Sequence, residues 1–177
     1  MARRYTLNNY KDLKGRDVFF DANVILYVYW TTGNWSWMGQ YSTLFNRLLK
    51  QGNKMYINFP VISEVVNRAI RIEHEKYQKS QSKAIRYKDY RNSDAGVEAL
   101  EDIYTILEHD VLKHFDVVSD GYDKLDIESF LVVDHLDFGD KAIEKTCSDR
   151  DMVLLTNDVD FKNSKVDILS VNRKLIS

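Results

Sequence analysis

Residues 137–161 read DFGDKAIEKTCSDRDMVLLTNDVDF. This stretch places aspartates at the start of a segment with helical character, then the apolar run MVLLT, then further aspartates. A short apolar run of this kind predicts a buried strand. Carboxylates at the end of a buried strand are costly unless a bound group compensates their charge. The stretch therefore predicts a helix, a core strand and an acidic site beyond that strand.

Short β-branched and apolar runs alternate with helical segments along the rest of the chain. We predict strands at residues 17–20, 54–59, 115–119, 152–156 and 166–171. Strands alternating with helices are typical of a parallel sheet covered on both faces. We therefore predict an α/β fold, a three-layer α/β/α sandwich around a parallel sheet of four to five strands, forming a single domain over residues 1–177.

Composition limits the class of protein. The 177 residues carry a formal net charge of -2 and 44% hydrophobic residues, which is ordinary for a globular domain. A single cysteine, Cys147, excludes an internal disulfide and favours a reducing compartment. The N-terminus has no apolar signal segment, and the longest apolar run, residues 24–30, is far shorter than the roughly 20 residues of a membrane helix. We expect a cytoplasmic protein with no membrane partner.

Four acidic residues fall where ligands bind in parallel sheets, at the carboxyl ends of strands. They are Asp21 after the first strand, Glu64 early in the helix after the second, Asp140 in the helix before the strand 152–156, and Asp158 just after that strand. Right-handed connections bring these positions to one end of the sheet. Carboxylates gathered together are tolerated mainly when a divalent cation neutralises them, and an all-oxygen set favours Mg²⁺ or Mn²⁺ over Zn²⁺.

Other acids of the opening stretch have competing explanations. Helix N-capping accounts for Asp137 or for Asp140. The spacing from Asp140 to Asp158 suits one helix plus one strand and favours Asp140 as the ligand, with Asp137 as an additional candidate. Asp160 is either a further ligand or part of a surface turn. The DFG tripeptide at 137–139 also occurs in kinases, but no Gly-rich loop or HRD sequence accompanies it here, so the match is chance.

Two neutral residues lie beside the predicted ligands. Asn23 is either a turn residue or a hydrogen-bond donor to the Asp21 carboxylate, and we favour the hydrogen bond. Thr156 is either an ordinary strand-end residue or a hydroxyl that orients an acid or a substrate phosphate. Both alternatives for Thr156 stay open on the sequence.

Four segments together resemble the motifs of PIN-domain nucleases: FFDANVILY, FPVISEVVNRAI, FGDKAIEKT and VLLTNDVDF. That family has an Asp ending strand one, often with Asn two residues later, a Glu early in the helix after strand two, an Asp starting the helix before strand four, and Thr-x-Asp after strand four. The matching positions are Asp21 with Asn23, Glu64, Asp140, and Thr156 with Asp158. The resemblance spans about residues 17–171.

The resemblance implies metal-dependent cleavage of RNA, commonly by VapC-type toxins that a cognate antitoxin holds inactive. The expected cofactor is Mg²⁺ or Mn²⁺, and the expected partners are RNA, an antitoxin protein and a second copy of the chain. A structure-specific DNase using the same acids is an alternative. A catalytically silent RNA-binding or regulatory module is another.

A basic segment at about residues 71–95, the basic arm, looks inserted relative to compact family members. The segment from Arg68 to Arg91 contains eight Lys and Arg residues and three acidic residues. We predict a helical arm that projects from the core, with one face contacting RNA through Lys76, Lys79, Lys83, Arg86 and Tyr90. The alternative is an ordinary solvated helix face. Trp35 and Trp37, in a Gly-flanked segment, either hold a base or a protein partner or cover the core.

Overall fold

The structure is a computed structural model that describes residues 2–30, 35–82 and 84–176. For Trp35 it describes only the backbone. Lys83 and the Trp35 side chain, both singled out in the sequence, lie outside the described residues. Within the described ranges, no helix has the length and apolar character needed to cross a membrane.

One sheet of six parallel strands runs through the described part of the chain. The strands are β1 (Arg4–Tyr5), β2 (Val18–Phe20), β3 (Met55–Asn58), β4 (Asp116–Val118), β5 (Val153–Leu155) and β6 (Ile168–Leu169). Their order across the sheet is β1-β6-β5-β2-β3-β4. The predicted α/β fold is confirmed, but the sheet has more than the four to five strands expected. The two-residue β1 is too short to show a strand pattern in the sequence.

Helices pack on both faces of this sheet and complete a three-layer α/β/α sandwich. Over the described residues the α-helices are α1 (Ala22–Tyr29), α2 (Trp35–Gln51), α3 (Phe59–Gln81), α4 (Tyr87–Arg91), α5 (Asp94–Ile106), α6 (Leu112–His114), α7 (Lys124–Phe130), α8 (Phe138–Asp149) and α9 (Arg173–Ile176). Short 3-10 helices span Tyr10–Leu13 and Val159–Asn163, and a π-helical turn spans Leu107–Val111. Strands covered on both faces are apolar throughout, as in β2 and β5.

The central strands β2 and β5 position the acidic edge of the sheet. Every residue of both strands is buried. They pair in parallel with Phe20 opposite Leu155. Because parallel strands end at the same edge, the next residues along the chain, Asp21 and Thr156, are neighbours.

The basic arm folds back on itself instead of projecting from the core. Helix α3 ends at Gln81, and Ser82 adopts a left-handed conformation with φ of 49°. Helix α4 then returns along α3, where the Tyr90 ring lies 5.1 Å from the rings of both His74 and Tyr77. Tyr90 is only 2% exposed. The prediction of a projecting arm is therefore wrong for α4, because the Tyr90 ring of this helix packs into the core.

Gly96, in the first turn of α5, lies against the backbone of α4 at Tyr90. A Cβ added there would lie 2.0 Å from the carbonyl oxygen of Tyr90, which is backbone and cannot rotate away. We expect Gly96→Ala to lower the melting temperature by several degrees in thermal unfolding followed by circular dichroism. Overpacking of this kind costs about 1–3 kcal/mol, and each kcal/mol corresponds to roughly 2–4 °C in a domain of this size.

Gly39→Ala is the matched control. Gly39 lies within α2, and a Cβ added there meets nothing within 4 Å. This variant should keep or raise the melting temperature, because alanine is favoured over glycine in a helix by about 1 kcal/mol. Equal melting temperatures for the two variants would contradict the packing of α4 against α5.

Candidate functional site

Asp21 is the buried acid of the site. It follows β2 and is 5% exposed. Its Oδ2 accepts a hydrogen bond from Thr156 Oγ1 at 2.6 Å and another from Asn23 Nδ2. The structure therefore places Asn23 and Thr156 where both fix the same carboxylate oxygen of Asp21.

The loop after β5 is held against the start of α1 by further hydrogen bonds. The backbone N–H of Asp158 donates to Thr156 Oγ1 at 2.9 Å. The backbone N–H of Asn157 donates to Asn23 Oδ1 at 3.1 Å. These bonds set the position of Asp158 relative to Asp21.

Helix α8 and the 3-10 helix after β5 supply further aspartates. Asp137 is the N-cap of α8, and its Oδ1 accepts from the backbone N–H of Asp140 at 2.8 Å. Asp158 caps the 3-10 helix by accepting from Asp160 N at 3.0 Å. Asp140, Asp158 and Asp160 each present a carboxylate oxygen within 4.8 Å of the others. Capping thus occupies one oxygen of Asp137, while Asp140 faces the other acids.

Glu64 reaches the site from α3. Asn58 starts this helix by accepting from Val61 N at 3.0 Å, which sets the angle of its first turns. Glu64 Oε1 accepts from Arg68 Nη1 at 3.0 Å, and the side chains of the pair are 48% and 50% exposed. A pair so exposed contributes about 0–1 kcal/mol, so Arg68 holds Glu64 only weakly.

These acids meet in one cleft of about 380 Å³ at the carboxyl edge of the sheet. Its acidic lining consists of Asp21, Glu64, Asp137, Asp140 and Asp158. The structure thus brings together the four acids predicted from the sequence. Asp160 is exposed beside them.

The crowding of these carboxylates changes their acidity. Burial, opposed by the hydrogen bond from Thr156 and assisted by the charge of Glu64, raises the pKa of Asp21 to about 6. Burial and the charge of Asp137 raise the pKa of Asp140 to about 7. Below about pH 6 both carboxyls are largely protonated, and a bound cation would displace these protons.

The donor set fits a hard divalent cation. The group formed by Asp140, Asp158 and Asp160 contains no sulfur or imidazole ligand. Carboxylate oxygens are the ligands that Mg²⁺ and Mn²⁺ prefer. Asp21 and Glu64 line the same cleft but lie outside this closest group, and they accept hydrogen bonds from Thr156 and Arg68.

The residues predicted to form an RNA-binding face do not share one helix face. Helix α3 carries Lys76 and Lys79 but ends before Lys83. Arg86 lies beyond the break, and both Lys76 and Arg86 pair with acids three residues away. Tyr90 is buried. The prediction of a single face is wrong because the left-handed turn after α3 interrupts the helical spacing.

Arg68 lines the cleft but is not among the site residues predicted from the sequence. It is the one basic side chain among the described residues that line the cleft. The available signal was its position four residues after Glu64, where oppositely charged side chains meet on a helix. Of the tryptophans, Trp37 is half-buried and packs at 6.4 Å from the Tyr41 ring.

In the metal-free protein we expect stability to fall as pH rises from about 4 to about 7. The folded-state pKa values of Asp21 and Asp140 lie above the ordinary carboxyl value of about 3.9. The folded state therefore holds more protons than the unfolded state in this window, and stability is lost as they leave. Thermal unfolding in chelator at about pH 5 and about pH 8 tests this, and Asp140→Asn should reduce the difference.

Asp151→Asn is the control for that comparison. Asp151 is 95% exposed, pairs with Arg16 and has a φ of 51°, a conformation that asparagine also tolerates. It should show the pH dependence of the wild type. If Asp140→Asn does the same, the shifted pKa of Asp140 does not govern the stability of the cleft.

Comparison with solved structures finds chains of similar structure. A chain of VapBC2 from Rickettsia felis, solved bound to a DNA fragment from their promoter, is 14% identical over 86% of this chain and 97% of that chain, with a TM-score of 0.51. PAE2754 from Pyrobaculum aerophilum is 15% identical over 91% of this chain and 88% of that chain, with a TM-score of 0.49. A chain of FitAB bound to an IR36 DNA fragment is 12% identical over 87% of this chain and 94% of that chain, with a TM-score of 0.45. No protein-family model and no curated protein matches the sequence. The likeness to VapBC2 confirms that the chain has a PIN-like fold.

Proposed function

We propose that the chain is a Mg²⁺- or Mn²⁺-dependent endoribonuclease, formed by a single PIN-like domain with a helical insertion at about residues 71–95. The observation that carries the proposal is the convergence of Asp21, Glu64, Asp140 and Asp158 in one cleft. Burial and mutual repulsion raise two of the carboxyl pKa values. In a site with a purely structural role, such crowding would lower the stability of the fold without any benefit. A cation site, in contrast, needs carboxylates gathered in this way.

The proposed roles follow from the contacts of each residue. Asp140 and Asp158, with Asp160 beside them, hold the cation. Asp21 contributes a carboxylate whose orientation Thr156 fixes. A bound divalent ion supplies charge neutralisation at the phosphate oxygens and lowers the pKa of a coordinated water.

Three other residues have supporting roles. Asn23 shares the fixing of Asp21, and Asp137 holds the first turn of α8 in place by capping it. Glu64 completes the acidic set when its weak contact with Arg68 is released. The acids thus act as one group, although they come from four separate segments.

A toxin-like role with an antitoxin partner is part of the proposal. The structurally similar VapBC2 was solved bound to DNA from its promoter, and this chain shares its fold. Support for a protein partner comes from an exposed apolar segment after α7, where Leu131, Val132 and Val133 are 67%, 61% and 98% exposed. Exposed apolar patches commonly mark protein interfaces. The proposed partners are an antitoxin and a second copy of the chain.

The test is cleavage of labelled single-stranded RNA and DNA of matched sequence in the presence of Mn²⁺. We expect the wild type to cleave RNA and chelator to abolish the cleavage. Asp21→Asn and Asp158→Asn should each lower the rate roughly 100-fold or more, the scale of losing a group that stabilises transition-state charge. Thr156→Val should lower it about 10- to 100-fold, because it loses only the orientation of Asp21.

Asp151→Asn again serves as the matched carboxylate-to-amide control and should cleave as the wild type does. Faster cleavage of DNA than of RNA would identify the protein as a DNase. Cleavage that survives in both Asp21→Asn and Asp158→Asn would show that the catalytic site lies elsewhere. A wild type that binds RNA and cuts neither strand would favour a silent binding module.

A further inference from the structure

A second groove lies directly beside the acidic cleft, between α1 and α3. Its volume is about 360 Å³, within the range of about 300–1,000 Å³ that ligand sites occupy. Asn23 and Arg68 line both this groove and the acidic cleft. The two spaces therefore adjoin, and a chain-like ligand seated in the cleft would continue into the groove.

Two arginines form one wall of the groove, which the exposed acid Glu75 also lines. Arg68 and Arg71 are three residues apart on α3, which places their side chains next to each other. Both residues are exposed. The Arg71 guanidinium lies 4.6 Å from the centroid of the Tyr87 ring, so a residue of α4 holds it in place. The returning half of the basic arm thus positions a charge beside the cleft.

The floor of the groove is apolar and aromatic. Leu26 is buried and Ile72 is half-buried. Tyr27 is half-buried and stacks on Tyr41, with 5.6 Å between ring centroids and 8° between ring planes. Such a surface suits the ring of a sugar or of an unpaired base.

Charge explains why a nuclease would need this wall. The acidic cleft repels a polyanion, and Arg68 is the one basic residue among its described lining residues. The ion pair between Arg68 and Glu64 is weak, since both side chains are about half exposed. Guanidinium groups bind phosphate through paired hydrogen bonds, so Arg68 and Arg71 are suited to adjacent backbone phosphates.

We propose that the groove between α1 and α3 is the subsite for the nucleotides that flank the scissile phosphate of single-stranded RNA. Arg68 and Arg71 contact the backbone phosphates, and Tyr27 and Ile72 contact the sugar or base. An unpaired strand is required because a base pair would keep the base from the apolar floor. The inference rests on the proposed nuclease function and names the class of substrate and its path out of the cleft.

The experiment measures binding without cleavage. A short fluorescein-labelled oligouridylate is titrated with the Asp158→Asn variant of the 177-residue chain at fixed Mg²⁺, and anisotropy is followed at several salt concentrations. Adding Arg71→Ala should weaken binding about tenfold, or ~1.4 kcal/mol. It should also reduce the slope of log affinity against log salt by about 0.7 for each RNA phosphate that is no longer neutralised. Arg71 is tested first because removing Arg68 also releases Glu64.

Arg47→Ala, in the same Asp158→Asn background, is the matched control. Arg47 likewise lies over a tyrosine ring, 5.3 Å from that of Tyr10, but it lines neither the groove nor the cleft. It should leave both the affinity and the salt slope unchanged. Tyr87→Leu, which frees Arg71 without removing its charge, should weaken binding less than Arg71→Ala and keep the salt slope.

The outcomes separate this inference from the proposed catalysis. Equal losses of affinity for Arg71→Ala and Arg47→Ala, or a loss for Arg71→Ala with no change in salt slope, would overturn the subsite. So would an absence of RNA binding by the Asp158→Asn parent at low salt. Binding that depends on Arg71 in a protein that cleaves no RNA would leave the subsite standing and overturn the nuclease. If cleavage requires Asp21 and Asp158 but RNA binding does not depend on Arg71, the nuclease function stands and the subsite is overturned.

Discussion

The parallel pairing of β2 with β5 is the interaction on which the candidate site depends. With Phe20 opposite Leu155, the chain leaves both strands at one edge, and Thr156 Oγ1 comes within 2.6 Å of Asp21 Oδ2. A register shift of one residue would turn the side chains to the opposite faces of the sheet and separate this pair. Helices α3 and α8 begin near the same edge, so Glu64 in the second turn of α3 and Asp140 in the first turn of α8 complete the cleft.

This arrangement opposes folding in the absence of a cation. Burial and neighbouring charges raise the pKa values of Asp21 and Asp140 to about 6 and about 7. Hydrogen bonds from Thr156 and Asn23 offset part of that unfavourable energy for Asp21. Protons offset more of it below neutral pH, and a divalent ion would do so above. The candidate function and the destabilisation therefore have the same origin.

The sequence predicts features that depend on local pattern or on the edge rule for parallel sheets. The buried strands and the shared cleft of the four acids belong to this group, as does the PIN-like fold. The reversal after α3 was not predictable, because Ser82 takes the left-handed conformation without a glycine to signal it. That reversal buries Tyr90 and brings Tyr87 to Arg71. The role of Arg68 in the cleft was not predictable either, because a helical salt bridge usually indicates only a solvated surface.

Anomalous diffraction from a crystal soaked in Mn²⁺ near neutral pH would show directly whether the gathered acids form a cation site. We expect an anomalous peak between the carboxylates of Asp140 and Asp158, within reach of Asp21, and no peak there in Asp158→Asn crystals. A cleft that stays empty in the wild type while Mn²⁺ binds elsewhere, or a peak that persists in the variant, would contradict this expectation.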